Sequence, residues 1–410
     1  MEIDAVIFDL DETLLDTSAL REARQQQRWS EVMRRLDEVQ PYRLPEADVE
    51  VIDVPLRLRE EGIRVGVLTA SPRHYAEALL EHFGIVHDGL VTGSDGYAAK
   101  PDPAGLLALA EQLGVAIARC AHVGDLDTDV AAAVSAGAIA VGVCWSTRAP
   151  QSWRRWWPEV AISEPRRLLE LAEGEKLVLF AEAALAGSPV AWHWGTLAAV
   201  EDGVFACGRY FQTSDSRHLS SPLSTLVLTA KEDPAGAARV AELLAGLGAN
   251  PAWEGFDRVC SVPPKPGAVY DRFAVVRAEL APHFGAEDGG GNLEMLFDVP
   301  NYKQLNHDAR RVANRDRFRA HDVNLQRVLL IDDVITSGGQ AEACRDALRA
   351  AGTGEVVVVG LTLTQDPLPE VCPECGEGVL RVYRRGSDGR PFLGCPNYFR
   401  TGCSYKRDAG

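Results

Sequence analysis

Six polar side chains in the first third of the chain have the types that phosphoryl chemistry needs. They are the carboxylates of Asp9, Asp11, Asp125 and Asp129, the hydroxyl of Thr69 and the amine of Lys100. A carboxylate can attack phosphorus and carry the phosphoryl group as an acyl phosphate. A neighbouring acid can protonate the leaving oxygen and later activate water, while a hydroxyl and a lysine neutralise charge. The set therefore predicts phosphoryl transfer, with carboxylates suited to a hard cation such as Mg²⁺.

The elements around these side chains predict a common location for them. Short apolar runs at 3–8, 64–69 and 121–125 have the length and β-branched content of buried strands, and helical stretches separate them. Such alternation predicts an α/β fold with a parallel, doubly wound sheet. Ligands of these sheets bind at the carboxyl ends of the strands, where the polar residues stand. The competing interpretation is that they are unrelated turn and capping residues.

This stretch resembles the haloacid dehalogenase (HAD) superfamily of phosphatases. The segment Asp9–Leu14 matches the first motif of that family, and Gly124-Asp125 with Asp129 matches the fourth. Thr69 matches the second motif and Lys100-Pro101 the third, and the resemblance implies that Thr69 and Lys100 bind phosphate.

The same resemblance implies a HAD-type Rossmann-like domain over residues 1–173 with a short helical cap at about 16–46. Asp9 would be the nucleophile and Asp11 the general acid/base. Asp125 would bind Mg²⁺ together with Asp9 and the Asp11 carbonyl, and Asp129 would support the site. A short cap favours an open site that admits a phosphate on a large molecule, although a short cap can also close on a nucleotide.

A second polar group follows the apolar strand predicted at 327–331. It consists of Asp332 and Asp333 and then Thr336, Ser337, Gly338 and Gly339, ahead of a helix predicted over 340–351. Glycines let the backbone approach an anion, and the N–H groups at a helix start bind phosphate. The two acids can hold ribose hydroxyls directly or through Mg²⁺.

The region resembles type I phosphoribosyltransferases, and the ComF-like family most closely, which implies an α/β domain over 174–368 that binds phosphoribosyl pyrophosphate. The segment 304–318 matches that family before the loop, and Val262-Pro263 resembles its pyrophosphate loop, with Lys265 nearby. Gln340 departs from the family pattern, because a Thr or Ser that contacts the 5′-phosphate usually stands there. Catalysis and a fold retained for binding both remain open.

Four of the nine cysteines are paired near the C-terminus, as Cys372 with Cys375 and Cys395 with Cys403. Four thiolates in a short module predict a tetrahedral Zn²⁺ site, and a segment of this size needs such a site in order to fold. The other five cysteines are scattered among apolar residues, which is typical of core positions in a reducing compartment.

Residues 369–410 resemble the zinc ribbon of bacterial type IA topoisomerases, which implies contact with single-stranded nucleic acid. Aromatic side chains among arginines would suit stacking and phosphate contact. The candidates are Phe392, Tyr398, Phe399 and Tyr405. Packing within the small ribbon is the alternative role for them.

Three other stretches carry structural predictions. We expect a helix over about 18–38, a second over 45–61, and strands between 176 and 228 that end near Leu226-Val227-Leu228. The tryptophan- and arginine-rich run at 152–158 suits either stacking on nucleobases or packing at the edge of the first domain.

Composition narrows the class of protein. Hydrophobic residues make up 46% and charged residues 25%, which is ordinary for globular proteins. A net charge of −17 argues against binding nucleic acid with the whole surface, although basic side chains are concentrated in the cysteine-rich tail. No apolar run is long enough to span a membrane, and the acidic N-terminus leads directly into a strand, so we expect no membrane partner and a cytoplasmic location.

Together these observations predict a Mg²⁺-dependent phosphatase that acts on a phosphorylated nucleotide or nucleic-acid end in DNA repair, processing or uptake. One alternative is nucleotide salvage, in which the transferase and phosphatase act on the same nucleotides. Another is an adaptor that senses ligands and binds nucleic acid without catalysis.

Overall fold

The computed structural model describes most of the chain. The described residues are 3–44, 47–146, 153, 155–172, 179–185, 197–201, 203–249, 253–300, 309, 312–314, 316–323, 327–336, 338–368, 370, 372–375, 380–386 and 390–408. They group into two compact units, one up to Leu179 and one from Phe180 onward. The cysteine-rich stretch groups with the second unit.

The first unit is a parallel sheet with helical connections. Its strands are β1 (Ala5–Phe8), β2 (Leu15–Asp16), β3 (Gln40–Pro41), β4 (Arg64–Leu68), β5 (Gly89–Val91), β6 (Cys120–Gly124), β7 (Ile139–Val143) and β8 (Val160–Ile162). Its helices are α1 (Arg21–Gln25), α2 (Trp29–Arg34), α3 (Val54–Glu60), α4 (Arg73–His82), α5 (Ala104–Leu113), α6 (Asp127–Ala136) and α7 (Arg166–Ala172).

The strand order β5-β4-β1-β6-β7-β8 positions the site. Strand β1 is buried throughout and pairs in parallel with β4 on one side and β6 on the other. In register, Phe8 lies beside Val67 and Val123, so the residues that follow these three strands meet at one edge of the sheet. The chain runs outward from β1 through β4 to β5 and then crosses to β6 on the other side of β1. Such a reversal of strand order opens the crevice in which α/β sheets bind ligands.

The segment after β1 differs from the expected pair of long helices. Strands β2 and β3 form a short antiparallel ladder that encloses residues 17–39, here termed the insertion. Within the insertion, the helix predicted over 18–38 is interrupted, because Gln27 adopts a left-handed backbone (φ 55°) between α1 and α2. The helix predicted over 45–61 begins only with a 3₁₀ turn at Val51–Asp53 that leads into α3, and residues 45 and 46 lie outside the described residues.

The tryptophan-rich run packs into the first unit. Trp153, Trp156 and Trp157 are all buried, and the Trp153 and Trp157 rings meet edge to face with centroids 5.2 Å apart. A Cβ atom on Gly142 of β7 would lie 2.5 Å from the Trp153 ring, so the ring uses the space that glycine leaves. The burial of these three rings favours packing over stacking on nucleobases.

The second unit contains a mixed sheet, a small ribbon and flanking helices. Its strands are β9 (Ala198–Glu201), β10 (Val204–Ala206), β11 (Arg209–Tyr210), β12 (Arg258–Ser261), β13 (Glu287–Asp288), β14 (Leu293–Met295), β15 (Phe318–Ala320), β16 (Arg327–Ile335), β17 (Glu355–Thr364), β18 (Arg381–Arg384), β19 (Pro391–Gly394) and β20 (Lys406–Asp408). Its helices are α8 (Phe180–Leu185), α9 (Pro222–Thr229), α10 (Pro234–Ala245), α11 (Arg272–His283), α12 (Gly339–Ala350) and α13 (Tyr398–Thr401).

The larger sheet has the order β13-β12-β16-β17-β10-β9, and β11 also pairs with β17. Only the β9–β10 pairing is antiparallel among the described strands of this sheet. The long central strands β16 and β17 are almost wholly buried, as their apolar runs predict.

The prediction of a strand at Leu226-Val227-Leu228 is wrong, because these residues lie in α9. Pro222 occupies the first turn of this helix, and the Ser221 hydroxyl accepts a hydrogen bond from the Ser224 amide as its N-cap. The buried positions Leu223 and Val227 stand four residues apart, which is a helical and not a strand spacing.

The last described strands form the antiparallel ribbon β18-β19-β20. Leu380 and Leu393 pack around the buried cysteines at its base. No helix among the described residues is both long enough and apolar enough to cross a membrane.

Candidate active site and metal centres

The loop after β1 presents the first two carboxylates. The Asp9 amide donates to the Val123 carbonyl at 2.8 Å and thereby ties the loop to β6. Glu12 adopts a left-handed backbone (φ 64°), and its amide donates to the Leu15 carbonyl at 2.8 Å. This tight turn places Asp9 and Asp11 at the carboxyl edge of the sheet, and both side chains are buried.

Three carboxylates and one lysine converge at this edge. Carboxylate oxygens of Asp9, Asp125 and Asp129 lie within 4.8 Å of one another. The Lys100 amine lies 2.7 Å from Asp9 Oδ1 and 2.5 Å from Asp129 Oδ1, so it bridges two of the acids. Gly124 permits this approach, because a Cβ atom there would lie 2.4 Å from the Asp129 side chain.

Burial and charge set the protonation of these groups. Burial raises the pKa of Asp9 to about 6, and Asp129 and Asp11 add to the rise while Lys100 opposes it. For Asp129 burial acts in the same sense, but Lys100 and His122 together outweigh it and hold the pKa of that carboxyl well below its usual range. Burial works against the charge of Lys100, yet Asp129 and Asp9 raise the pKa of its amine. The site therefore keeps a cation between two acids.

Asp11 lies apart from this cluster and is surrounded by hydrogen-bond donors. Ser71 Oγ donates to Asp11 Oδ2 at 2.6 Å, and Thr69 Oγ1 lies 3.4 Å from the same oxygen. On the other oxygen, the Tyr75 hydroxyl donates at 2.8 Å and Arg24 Nη1 lies 3.0 Å away. The structure thus places Thr69 beside Asp11, and its predicted contact with phosphate stays a prediction.

Several of these partners were not identified from the sequence. Ser146 donates to Asp125 Oδ2 at 2.8 Å, and His122 Nε2 lies 3.6 Å from Asp129 Oδ1. Ser71 and Tyr75, which donate to Asp11, follow Thr69 by two and six residues. Their closeness in sequence to the second motif is the feature that could have identified them. Arg24 gave no signal, because arginines are frequent in its segment.

The donor set fits a hard divalent cation. Three carboxylates within 4.8 Å supply the oxygen ligands and the negative charge that Mg²⁺ prefers, usually together with water. Asp129 belongs to this group of three, and its Oδ2 also accepts from the Leu126 amide at the start of α6. Asp129 is therefore placed either to bind the ion itself or to support the carboxylates that bind it.

The acidic pair of the second unit lies within β16, because this strand continues beyond the predicted end at residue 331 as far as Ile335. Asp332 is buried and Asp333 is half-buried. Asp333 Oδ1 lies 3.1 Å from Arg272, and Asp333 Oδ2 lies 3.2 Å from Lys231, so both of its oxygens have cationic partners. Burial and the neighbouring Asp333 raise the pKa of Asp332, whereas Arg272 and Lys231 overcome burial and lower the pKa of Asp333.

The glycine-rich turn leads into α12. Gly338 has a left-handed backbone (φ 76°) at the N-cap, and the Gly339 carbonyl accepts from Asn314 Nδ2 at 2.8 Å. Thr336 is exposed, and Ser337 lies outside the described residues. Most of the segment 304–318 that was matched to the same family also lies outside them.

Lys265 is a further candidate for the phosphoribosyl site. Its amine pairs with Asp298 at 2.8 Å, and its side chain is 67% exposed. No hydrogen bond or ion pair recorded among the described residues joins it to the acidic pair. Its contribution to ligand binding stays a prediction.

The four C-terminal cysteines converge as a Zn²⁺ site requires. The sulfurs of Cys372 and Cys403 lie 3.7 Å apart, those of Cys375 and Cys395 lie 3.6 Å apart, and all four lie within 4.8 Å of one another. A tetrahedron of sulfurs about 2.3 Å from a central ion has edges of about 3.8 Å. These sulfurs are too far apart to be disulfide-bonded, whereas the spacing fits a tetrahedral zinc site.

Comparison with known proteins places part of the first unit in a family. Residues 30–137 match the haloacid dehalogenase-like hydrolases. The match contains Thr69, Lys100 and the fourth-motif acids, and it begins after Asp9 and Asp11.

Three curated relatives are phosphatases. Phosphoglycolate phosphatase of Xanthomonas campestris pv. campestris (strain 8004) is 34% identical over 122 residues, which are 28% of this chain and 54% of that protein. The Rhodospirillum rubrum phosphoglycolate phosphatase is 48% identical over 82 residues, 20% of this chain and 34% of that protein. N-acetylmuramic acid 6-phosphate phosphatase of Pseudomonas aeruginosa is 27% identical over 217 residues, 42% of this chain and 96% of that protein.

The chain spans about half the length, or less, of the phosphoglycolate phosphatases it matches. Among solved structures, a HAD phosphatase from Thermococcus onnurineus is 23% identical, with a TM-score of 0.34, and the match covers 43% of this chain and all of that one. The family match alone assigns residues 30–137 to the haloacid dehalogenase-like hydrolases.

Proposed function

We propose that the first unit is a Mg²⁺-dependent phosphomonoester phosphatase that works through a phosphorylated Asp9. The observation that carries this proposal is the convergence of Asp9, Asp125 and Asp129, with Lys100 paired to Asp9 and Asp129 and with Asp11 two residues after Asp9 on the same loop. An acyl-phosphate mechanism needs a nucleophilic carboxylate, a separate acid/base and a charged cradle, and these side chains supply all three.

The reaction has two steps. Asp9 Oδ forms a bond to phosphorus while the bond from phosphorus to the leaving oxygen breaks, and Asp11 gives that oxygen a proton. Water then attacks the phosphorus of the acyl phosphate, Asp11 takes the proton from the water, and Asp9 is released. Lys100 would neutralise charge on the phosphoryl oxygens, and the Thr69 hydroxyl would donate a hydrogen bond to them.

Asp9, Asp125 and the Asp11 carbonyl would hold Mg²⁺, with Asp129 as a further carboxylate. When bound, the ion would offset the charge on the transferring phosphoryl group and on the surrounding acids. The buried Asp9 must be deprotonated both to attack phosphorus and to bind a cation.

Hydrolysis of an aryl phosphate tests this assignment. Wild-type protein should release phosphate only with Mg²⁺, and Asp9→Asn should lower kcat by at least about a thousandfold. The exposed Glu60→Gln serves as the matched control and should keep wild-type turnover. Equal turnover of wild-type protein and Asp9→Asn would refute the nucleophile.

For the natural substrate we propose a phosphorylated nucleotide or nucleic-acid end, in DNA repair, processing or uptake. A panel of 3′- and 5′-phosphorylated oligonucleotides, free nucleotides and phosphoglycolate compares this substrate class with that of the relatives. Preference for oligonucleotides supports the proposal, whereas preference for phosphoglycolate would contradict it.

A specific surface favours a nucleic-acid role for the ribbon. Tyr383 and Phe392 stand opposite each other on β18 and β19, and their rings are 5.7 Å apart and tilted by 30°. The exposed Arg381 and Lys406 belong to the same face by register, whereas Leu393 on the other face packs against the cysteines. An aromatic pair flanked by cations can stack bases and contact phosphates.

The aromatic residues of the ribbon that the sequence suggested for stacking have different environments in the structure. Tyr405 packs against the cysteine cluster, and Tyr398 is 58% exposed on α13. The side chain of Phe399 lies outside the described residues. Phe392 packs beside Tyr383, and Tyr383 was not among the candidates from the sequence.

Binding of a fluorescent single-stranded oligonucleotide tests this surface. Replacing both Tyr383 and Phe392 with Ala should weaken binding about tenfold or more, because stacking contributes about 1–3 kcal/mol per base. Tyr97→Ala, at a 47% exposed position in the first unit, is the matched aromatic control and should keep wild-type affinity. Deleting residues 369–410 should remove salt-sensitive binding, and equal affinity without them would contradict the proposal.

For the second unit we propose binding of phosphoribosyl pyrophosphate or a related ribose phosphate at Asp332, Asp333 and the turn through Gly339. Release of pyrophosphate with a nucleobase would support the alternative role in nucleotide salvage. Binding without release would support a retained binding fold. A wild-type protein without phosphatase or transferase turnover would favour the adaptor.

A further inference from the structure

Asp11, the proposed acid/base, is held by donors from three separate elements. Ser71 follows β4, Tyr75 lies on α4 and Arg24 lies on α1 of the insertion. Their contacts to the carboxylate measure 2.6, 2.8 and 3.0 Å and reach both oxygens. Donors on both oxygens fix the plane of a carboxylate as well as its position.

Arg24 has a geometry that suits this role. Its guanidinium also lies 3.3 Å from Glu12 Oε1 and 2.9 Å from Thr17 Oγ1, and the side chain is only 11% exposed. Glu12 has a second partner in Arg21, whose Nε donates to Glu12 Oε1 at 2.9 Å. Arg24 therefore connects the Glu12–Arg21 ion pair to Asp11, and it is more than a counter-ion for Glu12.

Tyr75 is supported from the insertion as well. Its side chain is fully buried, and its ring lies 5.6 Å from the Trp29 ring on α2. Burial and the nearby Asp11 raise the pKa of the Tyr75 hydroxyl, so the phenol stays neutral and can donate. The insertion thus contributes one donor to Asp11 directly and packs against another.

We propose that Arg24 and Tyr75 are positioning residues for Asp11, so that the insertion completes the acid/base apparatus of the first unit. The inference rests on the proposed phosphatase activity and on Asp11 as its acid/base. Because Arg24 and Tyr75 would act through Asp11 and not on substrate, their loss should lower kcat and leave KM nearly unchanged.

A double-mutant cycle with an aryl phosphate tests the proposal. Arg24→Ala should lower kcat by about ten- to a hundredfold, the range typical of residues that orient active-site groups. The same change in an Asp11→Asn background should have almost no further effect, because the side chain it positions is already disabled. Arg24→Lys should recover part of the loss, and Tyr75→Phe should show the same dependence on Asp11.

Two arginines of the insertion serve as controls. Arg28 pairs with Glu31 at the surface, and Arg28→Ala should leave kcat unchanged in both backgrounds. Arg35 pairs with Glu38, and Arg35→Ala should likewise leave kcat unchanged in both backgrounds.

The outcomes separate the inference from the function on which it rests. If wild-type protein hydrolyses the aryl phosphate and Asp9→Asn does not, the function stands and the cycle decides the role of Arg24. An equal loss from Arg24→Ala in both backgrounds, or no loss in either, would overturn the inference alone. A wild-type protein without hydrolysis would overturn the function and the inference together.

Discussion

One lysine holds together acids that would otherwise repel each other at the edge of the first sheet. Lys100 lies between Asp9 and Asp129, and these carboxylates respond in opposite directions to the same buried site. The proposed nucleophile Asp9 has a raised pKa, whereas the pKa of Asp129 is lowered. The pair illustrates how environment can give different roles to two chemically identical groups.

Lys100→Ala should shift the pH dependence of hydrolysis. Lys100 lowers the pKa of Asp9, so its removal should raise that pKa above about 6, because burial and the neighbouring acids still act. Asp9 attacks phosphorus as the deprotonated form, so activity should begin to rise at higher pH. We also expect kcat to fall by about a hundred- to a thousandfold. An unchanged pH profile at the same Mg²⁺ concentration would contradict the contact.

Sequence reasoning singled out the residues that a short motif contains and missed those that reach the site from elsewhere. Asp9, Asp11, Lys100 and Asp125 could be chosen because their types follow strands in a recognisable order. Arg24 could not, because its role depends on how the insertion folds back over the loop. A helical segment rich in charged residues can fold against the loop in many ways, and its sequence does not show which arginine will reach Asp11.

At the scale of elements, burial distinguishes structural aromatic residues from those available for binding. The tryptophans at 153–157 are enclosed by the first unit, whereas Tyr383 and Phe392 stand on the half-buried face of the ribbon. Composition alone does not distinguish the two groups, because each segment contains both aromatic and basic side chains. The sequence therefore left packing and stacking open for both.

Trp153→Ala should destabilise the first unit by about 3–5 kcal/mol, because it removes a fully buried side chain packed against Gly142 and Trp157. Chemical unfolding followed by the loss of phosphatase activity would measure this change. Leu107→Ala, at a 43% exposed position on α5, is the control and should change stability by no more than about 0.5 kcal/mol. Similar stabilities of the two variants would contradict the packing.

Removing zinc should unfold the ribbon strands. The cluster of four sulfurs and a few apolar side chains is too small to stabilise β18-β19-β20 without a metal. Purified protein should contain one zinc per chain, and Cys395→Ser should lose the metal together with single-strand binding. Cys207 is a buried cysteine outside the cluster, so Cys207→Ser serves as the control and should keep the zinc. Full zinc loss without any effect on the ribbon would contradict the assignment.

At the scale of the whole molecule, two units with separate cores each present polar residues at the carboxyl ends of parallel strands. The α/β fold class and the positions of the central buried strands were predictable, because buried β-branched runs are distinctive. The broken insertion and helix α9 were not, since a left-handed Gln27 and an N-cap at Ser221 depend on local conformations that apolar patterning does not report.

The two units should bind their ligands independently. Replacing both Asp332 and Asp333 with Asn should weaken binding of phosphoribosyl pyrophosphate, measured by calorimetry, and leave aryl phosphate hydrolysis unchanged. Asp9→Asn should have the reverse pattern. Loss of both properties in either variant, with the fold intact, would contradict separate sites.

The central claim is that Asp9 carries the phosphoryl group, and the most direct measurement is acid quenching during turnover followed by mass spectrometry of the peptides. Asp11→Asn should slow hydrolysis of the intermediate and help it to accumulate. The account predicts a mass increase of one phosphoryl group on Asp9, present with Mg²⁺ and absent from Asp9→Asn. Turnover with no phosphorylated Asp9, or with the group on another residue, would contradict it.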